Sequence, residues 1–229
     1  TPILRDDLPP FTELVAGGNS TCGRTKAGPW RCWGALWQTD EDRQKALEVV
    51  APNGRHFTQM SLGPHTLCGI TEEGALYCAQ VDSRGLRDLV AVEKPAPLAS
   101  VTITGLWNAC GVDIHGKVLC WVKYYQSFNG GITDAGAVEV DTGDMPVKAL
   151  VANDYALGLG VVCARSDSGQ LRCWSPPLVS EHRTPPVPTI VLDVDPNWSS
   201  PSVNNFQVCL HADDGHRHCA TMGYGTPID

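Results

Sequence analysis

Long apolar stretches are missing from this 229-residue sequence, which contains no run of eighteen apolar residues. A helix that crosses a membrane needs about 20 consecutive apolar residues, so we expect no transmembrane helix and no membrane insertion. No signal peptide is visible either. Because Thr1-Pro2 is not an initiator sequence, we expect a processed chain or a segment of a longer one.

Positive charge is also scarce. The chain has 17 Lys and Arg against 25 Asp and Glu, which gives a net charge of −8. Nucleic acids and anionic membranes attract basic surfaces, so neither is expected as a partner. The acidic loops at 39–43 and 141–144 do not follow the alternating oxygen pattern of a calcium loop, so they are interpreted as solvated loops.

Catalytic and metal-binding motifs are absent as well. The sequence has no G-x-S-x-G nucleophile motif and no glycine loop of the kind that holds a phosphate. His211, His216 and His218 crowd one hairpin, but they straddle a tight turn, so we predict an exposed polar turn and no metal site. We therefore predict a non-enzyme without a cofactor. An extracellular enzyme remains a third alternative, because spatial triads do not show in a linear sequence.

Cysteine, by contrast, is abundant and regular. The ten cysteines form five pairs with nine residues between partners, and a glycine stands six residues after the first cysteine of each pair. The first cysteines lie 46, 42, 53 and 46 residues apart, a period typical of repeat architectures. The pairs, each with its glycine, are Cys22 and Cys32 with Gly28, Cys68 and Cys78 with Gly74, Cys110 and Cys120 with Gly116, Cys163 and Cys173 with Gly169, and Cys209 and Cys219 with Gly215.

Each cysteine pair fits a β-hairpin. A three-residue loop that ends on a left-handed glycine places Thr25 opposite Pro29, and therefore Cys22 opposite Cys32. Directly opposed strand residues have Cα atoms roughly 4.5 to 5.5 Å apart, which is within the range of a disulfide. Five zinc sites are the alternative, but two cysteines without a nearby histidine pair make a poor zinc site. We therefore predict five disulfides and an oxidising compartment.

Four strand-like segments recur in the repeats at approximately residues 11–51, 57–93, 99–140 and 147–194, and the last repeat, at approximately 202–223, has three of its own. Four-stranded units of this length suggest propeller blades, with a solenoid as the alternative. Too few residues follow Cys219 for a fourth strand, whereas residues 1–8 contain one strand too many. We therefore expect a single all-β domain over residues 1–229, a five-bladed β-propeller with four-stranded blades and one disulfide per blade, closed by the N-terminal strand.

The first repeat reads A-G-x-x-x-T-C followed by C-x5-G-x3-C-W-G, and 62–68 read L-G-P-H-T-L-C with Gly63, His65 and Thr66. This pattern resembles the repeat of the regulator of chromosome condensation family in its cysteine-bearing form. That form is similar to extracellular repeats of crinkly-type plant receptor kinases and of bacterial secreted proteins. The resemblance implies a β-propeller and no single activity. The residues that carry it in the first repeat are Ala16, Gly17, Thr21, Cys22, Gly28, Cys32, Trp33 and Gly34.

Aromatic residues fall into two groups. Trp33, Trp121 and Trp174 follow a cysteine at a fixed position and are predicted to pack between blades. The second group lies outside the repeated frame, where exposed Tyr and Trp favour binding interfaces. We predict that this group binds a partner: Trp37, Tyr124, Tyr125, Phe128 and Trp198.

The sequence thus predicts a secreted or extracellular recognition module, periplasmic or on the cell surface if bacterial. Its predicted partner is an extracellular protein, such as a receptor or a target enzyme. A lectin-like propeller that binds a glycan is the alternative, although the repeats carry no recurring polar trio at matching positions. In a eukaryotic source, Asn19-Ser20-Thr21 and Asn197-Trp198-Ser199 fit the N-glycosylation acceptor pattern.

Overall fold

The computed structural model describes residues 8–26, 28–37, 39–52, 54–82, 84–93, 96–104, 108–121, 137–152, 161–174, 190–193, 199–204, 207–211 and 216–221. These residues form five sheets of antiparallel strands and one short helix. The first blade contains Glu13–Gly17 (β1), Ser20–Arg24 (β2), Arg31–Gly34 (β3), the helix Asp40–Gln44 (α1) and Leu47–Glu48 (β4).

The other sheets repeat this order along the chain. The second blade contains Phe57–Leu62 (β5), Thr66–Thr71 (β6), Leu76–Asp82 (β7), Gly85–Leu86 (β8) and Val90–Ala91 (β9). The third contains Leu98–Thr104 (β10), Asn108–Asp113 (β11), Val118–Trp121 (β12) and Ala137–Val140 (β13). The fourth contains Ala149–Ala152 (β14), Val162–Arg165 (β15), Gln170–Trp174 (β16) and Ile190–Asp193 (β17). The fifth sheet contains Ser199–Asn204 (β18), Gln207–His211 (β19) and Arg217–Thr221 (β20).

The first strands of successive sheets contact one another, in the order β1, β5, β10, β14 and β18. The second strands of the middle blades, β6 and β11, are buried along their whole length. Each sheet therefore turns its first strand toward a common axis, and each of the three middle sheets has a neighbour on both faces. This is the arrangement of a β-propeller, which confirms the all-β fold and the four-stranded blade predicted from the repeats.

The predicted count of five blades is wrong for the described residues. Four blades have four or more strands, but the fifth sheet has three. The predicted fifth blade takes its fourth strand from residues 1–8, and of these only Leu8 belongs to the described part of the chain.

All five predicted disulfides are present, and no cysteine is free. In every hairpin the two cysteines are direct partners across the second and third strands. Their Cα atoms lie 4.0 to 4.1 Å apart. The spacing of ten residues thus sets the hairpin register, because it places the two sulfurs on the same face of paired strands.

The hairpin turns follow the predicted geometry in three blades. Gly74, Gly116 and Gly169 have positive φ angles of 72°, 82° and 87°, and each N–H donates to the carbonyl three residues earlier. Gly28 does not have a positive φ, so the prediction is wrong there. The reason is local: Gly28 precedes Pro29, and the proline ring pushes the preceding residue toward an extended conformation.

The disulfides belong to the interfaces between blades. Cys68 and Cys78 share a buried cluster with Trp121 of the following blade. Cys110 and Cys120 share one with Trp174 in the same way. Both indole side chains are fully buried, which confirms the predicted packing role of these two tryptophans. In the first interface Phe57 of the second blade belongs to the buried cluster that holds Cys22 and Cys32.

The helix α1 interrupts a segment that the sequence analysis predicts as a polar loop. Its N-cap is Thr39, whose hydroxyl accepts a hydrogen bond from the N–H of Asp42 at 3.0 Å. The sequence T-D-E-D contains this signal, because a threonine cap followed by acidic residues stabilises a helix N-terminus.

Candidate binding face

The direction of the first strands defines two faces of the propeller. Gln59 Oε1 accepts a hydrogen bond from the N–H of Val101, and Ser61 Oγ accepts one from the N–H of Ile103, both at 2.9 Å. Because both partner numbers rise by two, β5 and β10 run in the same direction. In a β-propeller every blade repeats this orientation, so connections of one kind are assigned to the same face.

One face, here called the loop face, holds the turns between first and second strands and the connections between third and fourth strands. The opposite face, here called the hairpin face, holds the cysteine hairpin turns and the linkers between blades. The loop-face connections that join Gly34 to Leu47, Trp121 to Ala137 and Trp174 to Ile190 are 12 to 15 residues long. The first four hairpin turns are only 4 to 6 residues long. The loop face thus carries the longest and most varied connections.

Trp37 is the one predicted partner-binding residue among those the structure describes. Its indole Nε1 donates to the carbonyl of Cys32 at 2.8 Å, and its half-buried ring packs against the cluster that holds Cys22 and Cys32. The adjacent N–H of Leu86 in the second blade donates to the carbonyl of Leu36 at 2.6 Å. The Trp37 ring is therefore held in one orientation at the loop face, with part of its surface accessible.

The other four predicted residues, Tyr124, Tyr125, Phe128 and Trp198, lie outside the described residues. The ends of their connections are described, however. Trp121 and Ala137, which flank the first three, are paired at the loop-face end of their blade. Asp193 and Ser199 flank Trp198, and both stand at the hairpin-face end of their strands. The described ends of the first connection thus lie at the loop face with Trp37, and those of the second lie at the hairpin face, a difference that sequence analysis missed.

Charged side chains at the loop face are paired locally. Asp82 Oδ1 accepts the N–H of Arg84, and its Oδ2 accepts Nε of Arg87, both at 2.7 Å. The N–H of Arg84, together with the Arg87 guanidinium, lowers the pKa of the Asp82 carboxyl. On α1, the hydrogen bond and charge of Glu41 raise the pKa of Lys45.

The hairpin face has a polar cleft of about 280 Å³ between the β11–β12 turn and the linker at 141–146. Lys117 forms an ion pair with Glu139 there, with Nζ to Oε1 at 3.0 Å, and this contact raises the pKa of Lys117. Asp113 Oδ1 accepts the N–H groups of His115 and Lys117, so it holds the turn itself. No group of three or more His, Cys, Asp or Glu in the described ranges is arranged to hold a metal ion. Within the same ranges, no helix has the length and hydropathy needed to cross a membrane.

Comparison with known proteins supports the fold. No protein-family model matches the chain. Human WBSCR16 superimposes with a TM-score of 0.65 at 12% identity, over 92% of this chain and 61% of that chain. Yeast RCC1 (Prp20), in its complex with Kap60, superimposes with a TM-score of 0.61 at 14% identity, over 92% and 56%.

This chain shares the propeller fold of RCC1. The structural likeness confirms, at the level of the fold, the resemblance indicated by the repeats. The entire ectodomain of the receptor kinase CR4 from Physcomitrella patens has the same fold, with a TM-score of 0.56 at 21% identity, over 95% of this chain and 54% of that chain. The chain therefore spans about half to three fifths of the length of these propellers.

Proposed function

We propose that this chain is an extracellular recognition module that binds a protein partner through its loop face without turning it over. The observation that supports this most directly is topological. The described ends of the connection that contains Tyr124, Tyr125 and Phe128 lie at the face on which Trp37 is fixed, which supports a shared binding surface. Tyr and Trp side chains at a surface contribute large contact areas at a small entropic cost.

The scaffold suits such a role. Nine of the ten disulfide cysteines are at most 3% exposed, so the bridges staple the blades from inside. A rigid scaffold lowers the ordering cost of binding, which leaves more of the contact energy for affinity. Five disulfides also require an oxidising compartment, in agreement with a secreted or cell-surface location. β-Propellers of this kind commonly serve as protein interaction modules, and yeast RCC1 (Prp20) is seen bound to Kap60.

The blades differ from one another where a lectin would be expected to repeat itself. One position can be compared in all four blades: the first-strand residue that lies opposite the second-strand residue two places after the first cysteine. The residues at this position are Glu13, Gln59, Ser100 and Ala149. A propeller that binds one sugar per blade would repeat a polar or aromatic residue at matching positions. The observed variety therefore favours a single asymmetric protein partner over a glycan.

The test compares two faces of one molecule. The wild-type chain, a Tyr124→Ala/Tyr125→Ala variant and a Trp198→Ala variant are each immobilised and exposed to the extracellular fraction of the source organism. Bound proteins are identified by mass spectrometry, and the affinity of a purified candidate is then measured for all three. We expect the double variant to lose at least tenfold in affinity, about 1.4 kcal/mol, and Trp198→Ala to bind like wild type.

Two results would overturn the proposal. The first is equal binding by the wild type and the double variant. The second is loss of binding in Trp198→Ala alone, which would move the site to the hairpin face. A glycan array with a strong hit and no protein partner would favour the lectin alternative.

A further inference from the structure

The polar cleft of about 280 Å³ on the hairpin face has two walls. One is the β11–β12 turn, which contributes His115, Gly116 and Lys117, and the other is the end of β13 with the linker that follows it, residues 139–146. Pockets that enclose a whole small molecule are typically about 300–1,000 Å³. The cleft is therefore suited to a single small group, such as the end of one side chain.

The linker wall is held in shape by its own backbone. Gly143 has φ of 58°, and its N–H donates to Asp141 Oδ1 at 2.8 Å. The N–H of Met145 donates to the carbonyl of Thr142 at 3.4 Å, and Met145 is buried between the third and fourth blades. These contacts fix the backbone that carries the polar side chains, so the wall is formed before a ligand arrives.

Thr142 supplies a polar group without a partner in the described part of the chain. The residue is only 7% exposed, and it lines the cleft. Its carbonyl accepts from the Arg172 guanidinium and from the Met145 N–H, but its hydroxyl forms no hydrogen bond with a described residue. The hydroxyl is also not among the fully enclosed side-chain atoms of the described residues that lack a partner, so it is open to the cleft. Because buried hydroxyl groups normally have a partner, this one indicates a polar ligand.

The charge around the cleft is predominantly negative. Its lining carries the carboxylates of Glu139, Asp141 and Asp144 and the ammonium of Lys117. Lys117 Nζ is paired with Glu139, at 3.0 Å to Oε1. Among the described residues, Asp141 uses only Oδ1, on the Gly143 N–H, and the Asp144 carboxylate has no hydrogen-bond or ion-pair partner. Two carboxylates thus stand beside the Thr142 hydroxyl without a counter-charge.

Neither Arg172 nor a metal ion accounts for these two carboxylates. Arg172 donates to the carbonyl of Thr142, does not line the cleft and forms no ion pair with Asp141 or Asp144. A metal ion is not expected, because no three His, Cys, Asp or Glu side chains in the described ranges are arranged to hold one. An organic cation needs only negative charge and hydrogen-bond acceptors, and the cleft provides both.

We propose that this cleft binds one alkylammonium or guanidinium group. Asp141 and Asp144 neutralise its charge, and the Thr142 hydroxyl accepts one of its N–H groups. Lys and Arg side chains of proteins carry such groups, and so do free amines. Hydrogen bonds from charged N–H donors to carboxylates are about twice as strong as neutral ones, so a cation is favoured over a neutral ligand. The site lies on the face opposite Trp37, so it does not depend on a partner at the loop face.

A titration with capped amino acids tests the proposal. The nitrogen-labelled chain is titrated with Nα-acetyl-argininamide, Nα-acetyl-lysinamide and neutral Nα-acetyl-citrullinamide, and amide chemical shifts are recorded by NMR. We expect shifts at residues 115–117 and 139–145. At least one of the two cations should bind about tenfold more tightly than the citrulline compound, which has nearly the shape of arginine without its charge. Equal binding of all three compounds, or shifts confined to other residues, overturns the proposal.

Three variants and a matched control locate the site. Asp144→Asn should weaken binding of the tighter cation at least about threefold through loss of charge, and Thr142→Val should do so through loss of the hydroxyl alone. Asp141→Asn should have a similar effect while its amide oxygen still accepts the Gly143 N–H. Glu72→Gln removes the same charge from the exposed β6–β7 turn on this face and should bind like wild type. Amide spectra outside the cleft check the fold of every variant.

The control also defines how the proposal fails. If Glu72→Gln weakens binding as much as Asp144→Asn, the effect is the general field of an acidic face and the cleft is not a site. If Thr142→Val binds like wild type, the hydroxyl does not contact the ligand and the proposed geometry is wrong.

A second set of ligands distinguishes the two sources of the cation. Butylammonium and butylguanidinium represent free amines, and a capped pentapeptide with one central arginine represents a protein side chain. Tighter binding of the pentapeptide than of Nα-acetyl-argininamide supports a protein partner, whereas tighter binding of the butyl cations supports a free amine. Failure of every cation to bind overturns the proposal and leaves the proposed function at the loop face unaffected.

Discussion

The side chain of Gln59 in the second blade accepts a hydrogen bond from the backbone N–H of Val101 in the third, across 42 residues of sequence. Ser61 repeats the arrangement with Ile103. Val101 and Ile103 are buried, at 3% and 5% exposed, so their N–H groups would otherwise have little access to water on that edge. Two short polar side chains thus join one blade to the next where first strands lie side by side.

Removal of these acceptors should weaken the interface. Gln59→Ala leaves the N–H of Val101 without its partner, and we expect a loss of about 1 to 3 kcal/mol in the free energy of unfolding, measured by denaturant titration. Gln59→Glu keeps an acceptor oxygen at the same reach and should retain most of the stability. Equal stability of Gln59→Ala and wild type would show that water replaces the bond.

Loss of an interior disulfide should be costly. Replacing Cys68 and Cys78 together by Ala opens a loop with a sequence separation of 10 and leaves space in a buried cluster beside Trp121. The loop-closure entropy of the unfolded chain alone predicts a loss of about 3 kcal/mol in the free energy of unfolding. Calorimetry should therefore show a lower melting temperature. An unchanged melting temperature would mean that the bridge adds nothing beyond the packing of the blades.

Alanine substitutions at two glycines distinguish the stability cost of backbone strain from that of a steric contact. Gly74 has φ of 72°, and a Cβ there would lie 2.8 Å from the backbone N of Leu98. Gly54 has φ of 77°, and a Cβ there meets nothing within 4 Å. Gly54→Ala should cost about 1 to 2 kcal/mol from the left-handed conformation alone, and Gly74→Ala should cost more, because the linker to the third blade must move. Denaturation midpoints compare the two, and equal losses would contradict the contact.

Acid should loosen the β7–β8 turn at the loop face. The N–H of Arg84 and the Arg87 guanidinium lower the pKa of Asp82, so the folded turn favours the carboxylate. The stabilisation is fully present above the unfolded pKa of Asp, about 3.9, and is lost as pH falls through the lower folded pKa. Hydrogen exchange at Arg84 should accelerate over that range beyond its intrinsic pH dependence. Asp82→Asn should remove this extra dependence, and its persistence in the variant would point to another group.

Local spacing explains why the hairpins are predictable. The two cysteines of each pair are ten residues apart with a turn between them, so their register depends on a few neighbouring residues. The same reasoning fails at Gly28, where Pro29 prevents the left-handed conformation. It also fails at α1, where a threonine cap stabilises a short helix inside a predicted polar loop. In both places a local sequence signal, a proline or a helix cap, overrides what the repeat pattern predicts.

The face to which each candidate binding residue is assigned depends on contacts between residues that are far apart in the sequence. No residue near Trp198 indicates that its connection leaves from the hairpin face, because that follows from the direction of β17 and β18. The bond from Val101 to Gln59 and the packing of Trp121 and Trp174 against the disulfides of the preceding blades likewise join residues from different blades.

The amino-acid sequence by itself determined the repeat, the pairing of all ten cysteines and the four-stranded all-β blade, because these arise from contacts within one hairpin and its neighbours. Only the tertiary structure decided which connections share a face, how fully each tryptophan is buried and that Cys219 remains exposed. Those properties arise from packing between sheets, where residues more than forty positions apart meet and no short spacing records the contact.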